Sequence, residues 1–160
     1  MASQTPSRLW GPARRALAYR ELEHPADLLL EILGEDVEEL FENALFALYD
    51  ELAKLTGFEP REQVSLTAVG PDLAHTLRGL LAEALYRFDT EGFVARTGRV
   101  QVTANQQVDV VAVLWGERAE PSRHVLTTEI KAVTYHLLTV EKRPEGDAGP
   151  AWRATVLFDI

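Results

Sequence analysis

The chain has 160 residues, of which 46% are hydrophobic and 26% charged, with no cysteine and a formal net charge of −9 at pH 7. This is the size and mix of one globular domain with a sizeable core; it excludes disulfides and thiolate zinc sites, and its acidity argues against broad binding to DNA or RNA phosphates. No apolar run approaches the ~20 residues that cross a bilayer and no secretory segment opens the chain, so a soluble, cytoplasmic protein without membrane contact is expected.

Residues 1–17 carry three Arg, two Pro, a Gly and no hydrophobic period, which predicts a flexible tail ahead of a single domain over 18–160. Tyr19 to Glu23 and Leu28 to Leu33 read as short strands around the bend Glu23-His24-Pro25-Ala26-Asp27, where Pro25 denies a ladder bond and restricts His24. Asp36 and Glu39 resemble a capping box, and Val37, Leu40, Phe41, Ala44, Leu45, Leu48 and Leu52 mark one face of an amphipathic helix that Gly57 is placed to end. Val64, Leu66 and Ala68 alternate as a strand does. Pro71 suits the first turn of a second helix, with Leu73, Leu77, Leu80, Leu81, Ala84, Leu85 and Phe88 as its buried stripe and a stop near Asp89-Thr90-Glu91-Gly92.

Phe93 to Ala104 and Gln107 to Trp115 predict an antiparallel pair, and apolar residues on both faces of the second strand suggest a central strand covered on both sides. Gly116 to Thr128 is a polar connection. Ile130 to Glu141 and Trp152 to Phe158 flank a long turn-rich loop over 144–150. The fold class is α+β: two main helices packed on a mostly antiparallel β-sheet.

The last strand runs straight into Asp159 and the α-carboxylate of Ile160, two anions side by side. Packed carboxylates repel one another unless a cation or donors compensate, so a further acid nearby makes a site for a hard, oxygen-loving divalent ion. Asp27 is the candidate for that acid. Taken singly, Asp27 reads as a loop or cap acid and Asp159 as a solvated end. Glu91 lies either beside that site or in a turn, and Glu129 with Lys131 form either a surface pair or a basic neighbour to an acidic pocket. His24, His75, His124 and His136 are scattered, each alone a surface or packing residue. No Gly-rich phosphate loop, His-Glu-x-x-His helix or Gly-x-Ser-x-Gly elbow is present.

Four ordered segments resemble the motifs of the archease family: Tyr19 to Asp27, Leu85 to Gly92, Glu129 to His136, and the closing Leu157-Phe158-Asp159-Ile160. The resemblance implies an archease-like domain that does no catalysis itself. It implies a helper of the RtcB-type RNA ligase, promoting guanylylation and multiple turnover in tRNA splicing and RNA repair and meeting RNA only through the ligase. By matching positions, Asp27, Asp159 and Ile160 correspond to divalent-metal ligands, for Ca2+ with Mn2+ or Mg2+ as alternatives, while Lys131 matches a residue tied to activity. His24 and Glu91 fall within the same motifs. Pro25 departs from the family's usual Thr, exchanging a hydroxyl for a stiffer loop. Two rivals remain: a metal-dependent hydrolase in which Asp27, Asp159 and Glu91 hold the ion and His24 or His136 moves protons, and a chaperone-like module that needs no metal.

Overall fold

The structure, a computed structural model, describes residues 4–160. In chain order the elements are α1 (Pro12–Ala18), β1 (Tyr19–Leu22), β2 (Leu28–Gly34), α2 (Val37–Leu52), β3 (Glu62–Gly70), α3 (Leu73–Glu91), β4 (Phe93–Ala104), β5 (Val108–Arg118), β6 (Ala132–Val133), β7 (Thr139–Lys142) and β8 (Trp152–Asp159). They make two antiparallel sheets. One runs β1-β2-β8-β6, with β7 also on β8; the other runs β3-β5-β4. The expected α+β class holds, with helices packed on antiparallel sheets.

Helix α2 packs on β2 of the first sheet and β4 of the second, which explains its burial. Its start follows the sequence: the Asp36 side chain accepts from the Glu39 N–H at 2.8 Å, and Glu39 reaches back to the Glu35 N–H at 3.0 Å. Its burial exceeds an amphipathic stripe, because Leu40, Phe41 and every residue from Asn43 to Asp50 are buried. Gly57 does not end the helix. The chain leaves at Ala53 in extended conformation, and Gly57 sits in a short 3-10 turn that needs no left-handed backbone. Helix α3 is capped by Asp72 instead of starting at Pro71, and it closes on Gly92 at φ 72°, a left-handed cap that favours glycine.

The predicted tail is a correction. Residues 1–3 lie outside the described residues, but Trp10 is 1% exposed and stacks near Tyr49 and edge-on to Phe46 of α2. The absent hydrophobic period misled because one tryptophan anchors the segment. Trp10 exchanges two hydrogen bonds with Arg96, its N–H to the Arg96 carbonyl and its carbonyl to Arg96 Nε, both 2.7 Å. Gly98 leaves room for the indole, since a Cβ there would lie 2.6 Å from Leu114 and 3.3 Å from Trp10.

From this strap, Arg14 binds Asn43 and Glu42, and Arg15 grips Asp50 with two hydrogen bonds of 2.6 and 2.9 Å. Burial and its bonds to Asp50 raise the Tyr19 phenol well above its ordinary range, so it stays protonated and donates to Asp50 and Glu51. The strap thus supplies partners for Asn43 and Asp50, two polar residues that α2 buries.

Two further expectations change. Strand β5 is central in its sheet, yet its outer face is partly open: Val111 is 45% exposed, while Trp115 is covered. The strand expected over 130–141 is split into β6 and β7 by a turn in which Leu137 takes φ 58°. The loop before β8 turns at Gly146 and Gly149, both at positive φ, as its composition requires.

Replacing Trp10 by Ala is expected to destabilise the fold by about 3–5 kcal/mol, read as a lower urea midpoint. A passive tail would give no change.

Candidate functional site

Strand β2 pairs with β8 from Gly34 opposite Trp152 to Leu28 opposite Phe158. The next residues outward are Asp27 and Asp159, so the ladder brings the early bend to the last strand. Opposed residues of an antiparallel pair project to the same face. Leu28 and Phe158 face the core at 4% and 1% exposure, and beyond them Asp27 is half-buried and Asp159 exposed. The chain end is held from the opposite edge: Ala132 pairs with Asp159, and the Lys131 N–H donates to the Asp159 carbonyl at 2.7 Å. Thr134 adds bonds from its N–H and hydroxyl to the Leu157 carbonyl.

The bend before β2 is tight. Ala26 adopts φ 66°, uncommon for a residue with a Cβ, between Pro25 and Asp27. His24 Nδ1 is buried without a hydrogen-bond partner, 3.9 Å from Asp27 Oδ2, and its ring lies edge-on to His136 at 6.5 Å. The bend with His24 and Asp27, with His136 beside it, and the end of β8 with Asp159 bound to the Lys131 N–H thus lie at the corner where β2, β6 and β8 meet. Ile160 is 41% exposed there.

The donors are oxygens of the kind hard divalent ions accept. Among the described residues no three His, Cys, Asp or Glu side chains form a ready cage. Asp27 and Asp159 are oxygen donors of that kind, one in the bend and one at the end of β8. Glu91 is turned to another task, an ion pair with Arg87 at 3.2 Å one helical turn away. Glu129 and Lys131 form no ion pair with each other among the described residues.

A residue unremarked in the sequence organises the neighbouring edge. Arg78 of α3 donates to the Val133 carbonyl and to the Tyr135 hydroxyl, each at 3.0 Å, with its guanidinium 4.1 Å from the Tyr135 ring centre. Only the pairing of α3 with β6 reveals this contact, so no local signal marked Arg78.

A second acid–imidazole pair lies elsewhere. His124 Nδ1 accepts the Glu120 N–H at 2.8 Å, which fixes the proton on Nε2, donated to Glu117 at 2.8 Å. The imidazole stacks flat on Phe58 at 3.8 Å and its side chain is 1% exposed, so it is the packing residue expected. Burial pushes the Glu117 carboxyl up, but His124, the Glu59 N–H and Arg123 outweigh it and hold it below the usual carboxylate range.

Fold and corner together describe a small α+β domain that brings acidic residues to the ends of adjacent strands. The model of the Archease protein family (MTH1598/TM1083) matches residues 19–160, and the chain belongs to that family. It is 37% identical over 144 residues to "Protein archease" of Archaeoglobus fulgidus, covering 90% of this chain and all of that one. To "Protein archease" of Pyrococcus abyssi it is 32% identical over 143 residues, covering 89% and 98%. The solution structure of protein 1598 of Methanobacterium thermoautotrophicum superposes with a TM-score of 0.75 at 24% identity, covering 89% of this chain and 99% of that one, which supports the fold. Residues 4–18, with Trp10 and the strap, precede the family match.

Glu117→Gln is expected to cost about 1.5–3 kcal/mol at pH 7 in urea titrations. Because the folded-state pKa of Glu117 is depressed, its contribution is present above the unfolded value and fades as pH falls through the folded one. The gap between variant and wild type should therefore close on acidification.

Proposed function

We propose that this protein is a non-enzymatic helper of an RtcB-type RNA ligase, promoting its guanylylation and multiple turnover in tRNA splicing and RNA repair through a divalent-metal-bearing acidic corner. The proposed ligands are Asp27, Asp159 and the Ile160 carboxylate, with Ca2+, Mn2+ or Mg2+ as the ion. Family membership supports the helper role. The observation that supports the metal reading is the β2–β8 register, which pairs Leu28 with Phe158 and so brings the bend that holds Asp27 to the end of the strand that holds Asp159.

A divalent ion there would neutralise anionic oxygens of a nucleotide or of the ligase pocket. The chain's own residues do the positioning. Lys131 fixes Asp159 through its N–H, leaving its exposed side chain as a positive group beside the acids and suited to phosphate or a partner carboxylate. His24 lies 3.9 Å from Asp27, and Glu91 pairs with Arg87 at the end of α3. The net charge of −9 suits docking at a basic groove, since complementary fields speed encounter. Action in the cytoplasm belongs to the same proposal; no helix among the described residues is long and apolar enough to cross a membrane.

Multiple-turnover ligation by the cognate ligase should lose its stimulation with Asp27→Ala or Asp159→Ala and after chelation. Stimulation at the wild-type level by both variants would remove the acids from the mechanism. Independently of ligation, Mn2+ or Ca2+ at a hundred times its Kd should stabilise the wild type by about 2.7 kcal/mol and leave Asp159→Ala unmoved. Nucleotide or phosphoester turnover by the protein alone would favour the hydrolase.

A further inference from the structure

The two sheets expose very different edges. On the first, β1 spans four residues, β6 two and β7 four, and charged Arg20, Glu21, Glu141 and Lys142 stand on them. On the second, the β4 edge is guarded: it is bulged between Ala95 and Thr97, its Arg96 carbonyl is taken by Trp10, and its Val102 N–H donates to Glu38 at 2.9 Å. Short strands, bulges and charged or covering groups are the usual means of preventing edge-to-edge pairing.

Strand β3 is long and unbulged, and its one charge, Glu62, stands at its first residue. It runs nine residues in unbroken register with β5, from Glu62 opposite Gly116 to Gly70 opposite Val108, without Pro, Lys, Arg or a bulge. The elements that pack substantially on it are β5 and α3, and its other edge has no hydrogen bond among the described residues. Its inner residues Val64 and Leu66 are buried while Gln63, Ser65, Thr67 and Val69 are exposed, so the strand is ordered and open along one side.

We propose that β3 is a self-association edge on which a second copy of this chain pairs antiparallel, joining two three-stranded sheets into one of six strands. The sequence is self-complementary about Leu66. In that two-fold register Val64 meets Ala68, Ser65 meets Thr67 and Gln63 meets Val69, while Glu62, the strand's one charge, meets Gly70. No like charges oppose each other, and hydroxyl and β-branched pairs favour a ladder. The exposed Val69 and Val111 would then lie on one face of the continuous sheet. Each copy carries a net charge of −9, so salt should tighten the pairing by screening long-range repulsion.

Sedimentation equilibrium tests this on the full chain. The mass should rise with concentration from 17.9 kDa toward twice that value, and more readily in salt. Ser65→Lys/Thr67→Lys, at two exposed positions, should stay monomeric, because like charges then face each other across the axis, and should melt at the temperature of the wild type at concentrations where the wild type is a monomer. Since the chain has no cysteine, Ser65→Cys/Thr67→Cys should form a dimer bridged from position 65 of one copy to 67 of the other under mild oxidation, mapped by peptide mass. A wild-type mass fixed at 17.9 kDa over the whole range, a dimer that survives the lysine pair, or no 65–67 bridge overturns the proposal. Pairing of β3 with some other protein's strand would give the first of these results.

Discussion

The register of β2 against β8 is the constraint on which the acidic corner depends. Ala154, Val156 and Phe158 face the core at no more than 1% exposure, opposite Ile32, Leu30 and Leu28. Side chains alternate along a strand, so a slip of one residue would turn Phe158 outward and carry Asp159 into the core. Burying each large apolar side chain is worth about 1.5–3 kcal/mol, and an unpaired buried carboxylate costs more than that, so the slipped register is strongly disfavoured. The meeting of the early bend with the end of the last strand follows from hydrophobic packing.

A similar logic governs α2. A helix between two sheets is buried over most of its surface, which takes Asn43 and Asp50 away from water. Asn43 is answered by the Leu33 carbonyl and Arg14, and Asp50 by Arg15 and Tyr19. The strap before β1 therefore does more than cover apolar surface. It carries cations to positions where α2 would otherwise hold uncompensated polar groups, while Trp10 closes the aromatic gap above Gly98.

The same architecture separates duties across the molecule. Acids cluster where strands end, and the backbone is held there by Lys131 and Thr134, so the corner is ordered without being enclosed. The Glu117–His124 pair, similar in composition, is enclosed and stacked on Phe58, and it serves packing. Composition alone does not distinguish a reactive pair from a structural one; access does. The second sheet adds an unguarded edge remote in sequence from both strand ends that carry the acids.

The sequence by itself determined the local elements: periodicity and the Asp36 cap specified α2, Gly92 stopped α3, and alternation marked β3, β4, β5 and β8, because these signals act within a few residues. It also carried the family, since four short motifs in order need no knowledge of contacts. The tertiary structure alone decided that there are two sheets, that α2 lies between them, that Trp10 belongs to the core, that Arg78 ties α3 to β6, and that the bend before β2 meets the end of β8. Most of these join residues far apart in the chain, as Trp10 and Tyr49 or Leu28 and Phe158 are, and they depend on which apolar faces meet. A period reveals that a face is apolar; only the packed chain reveals what covers it.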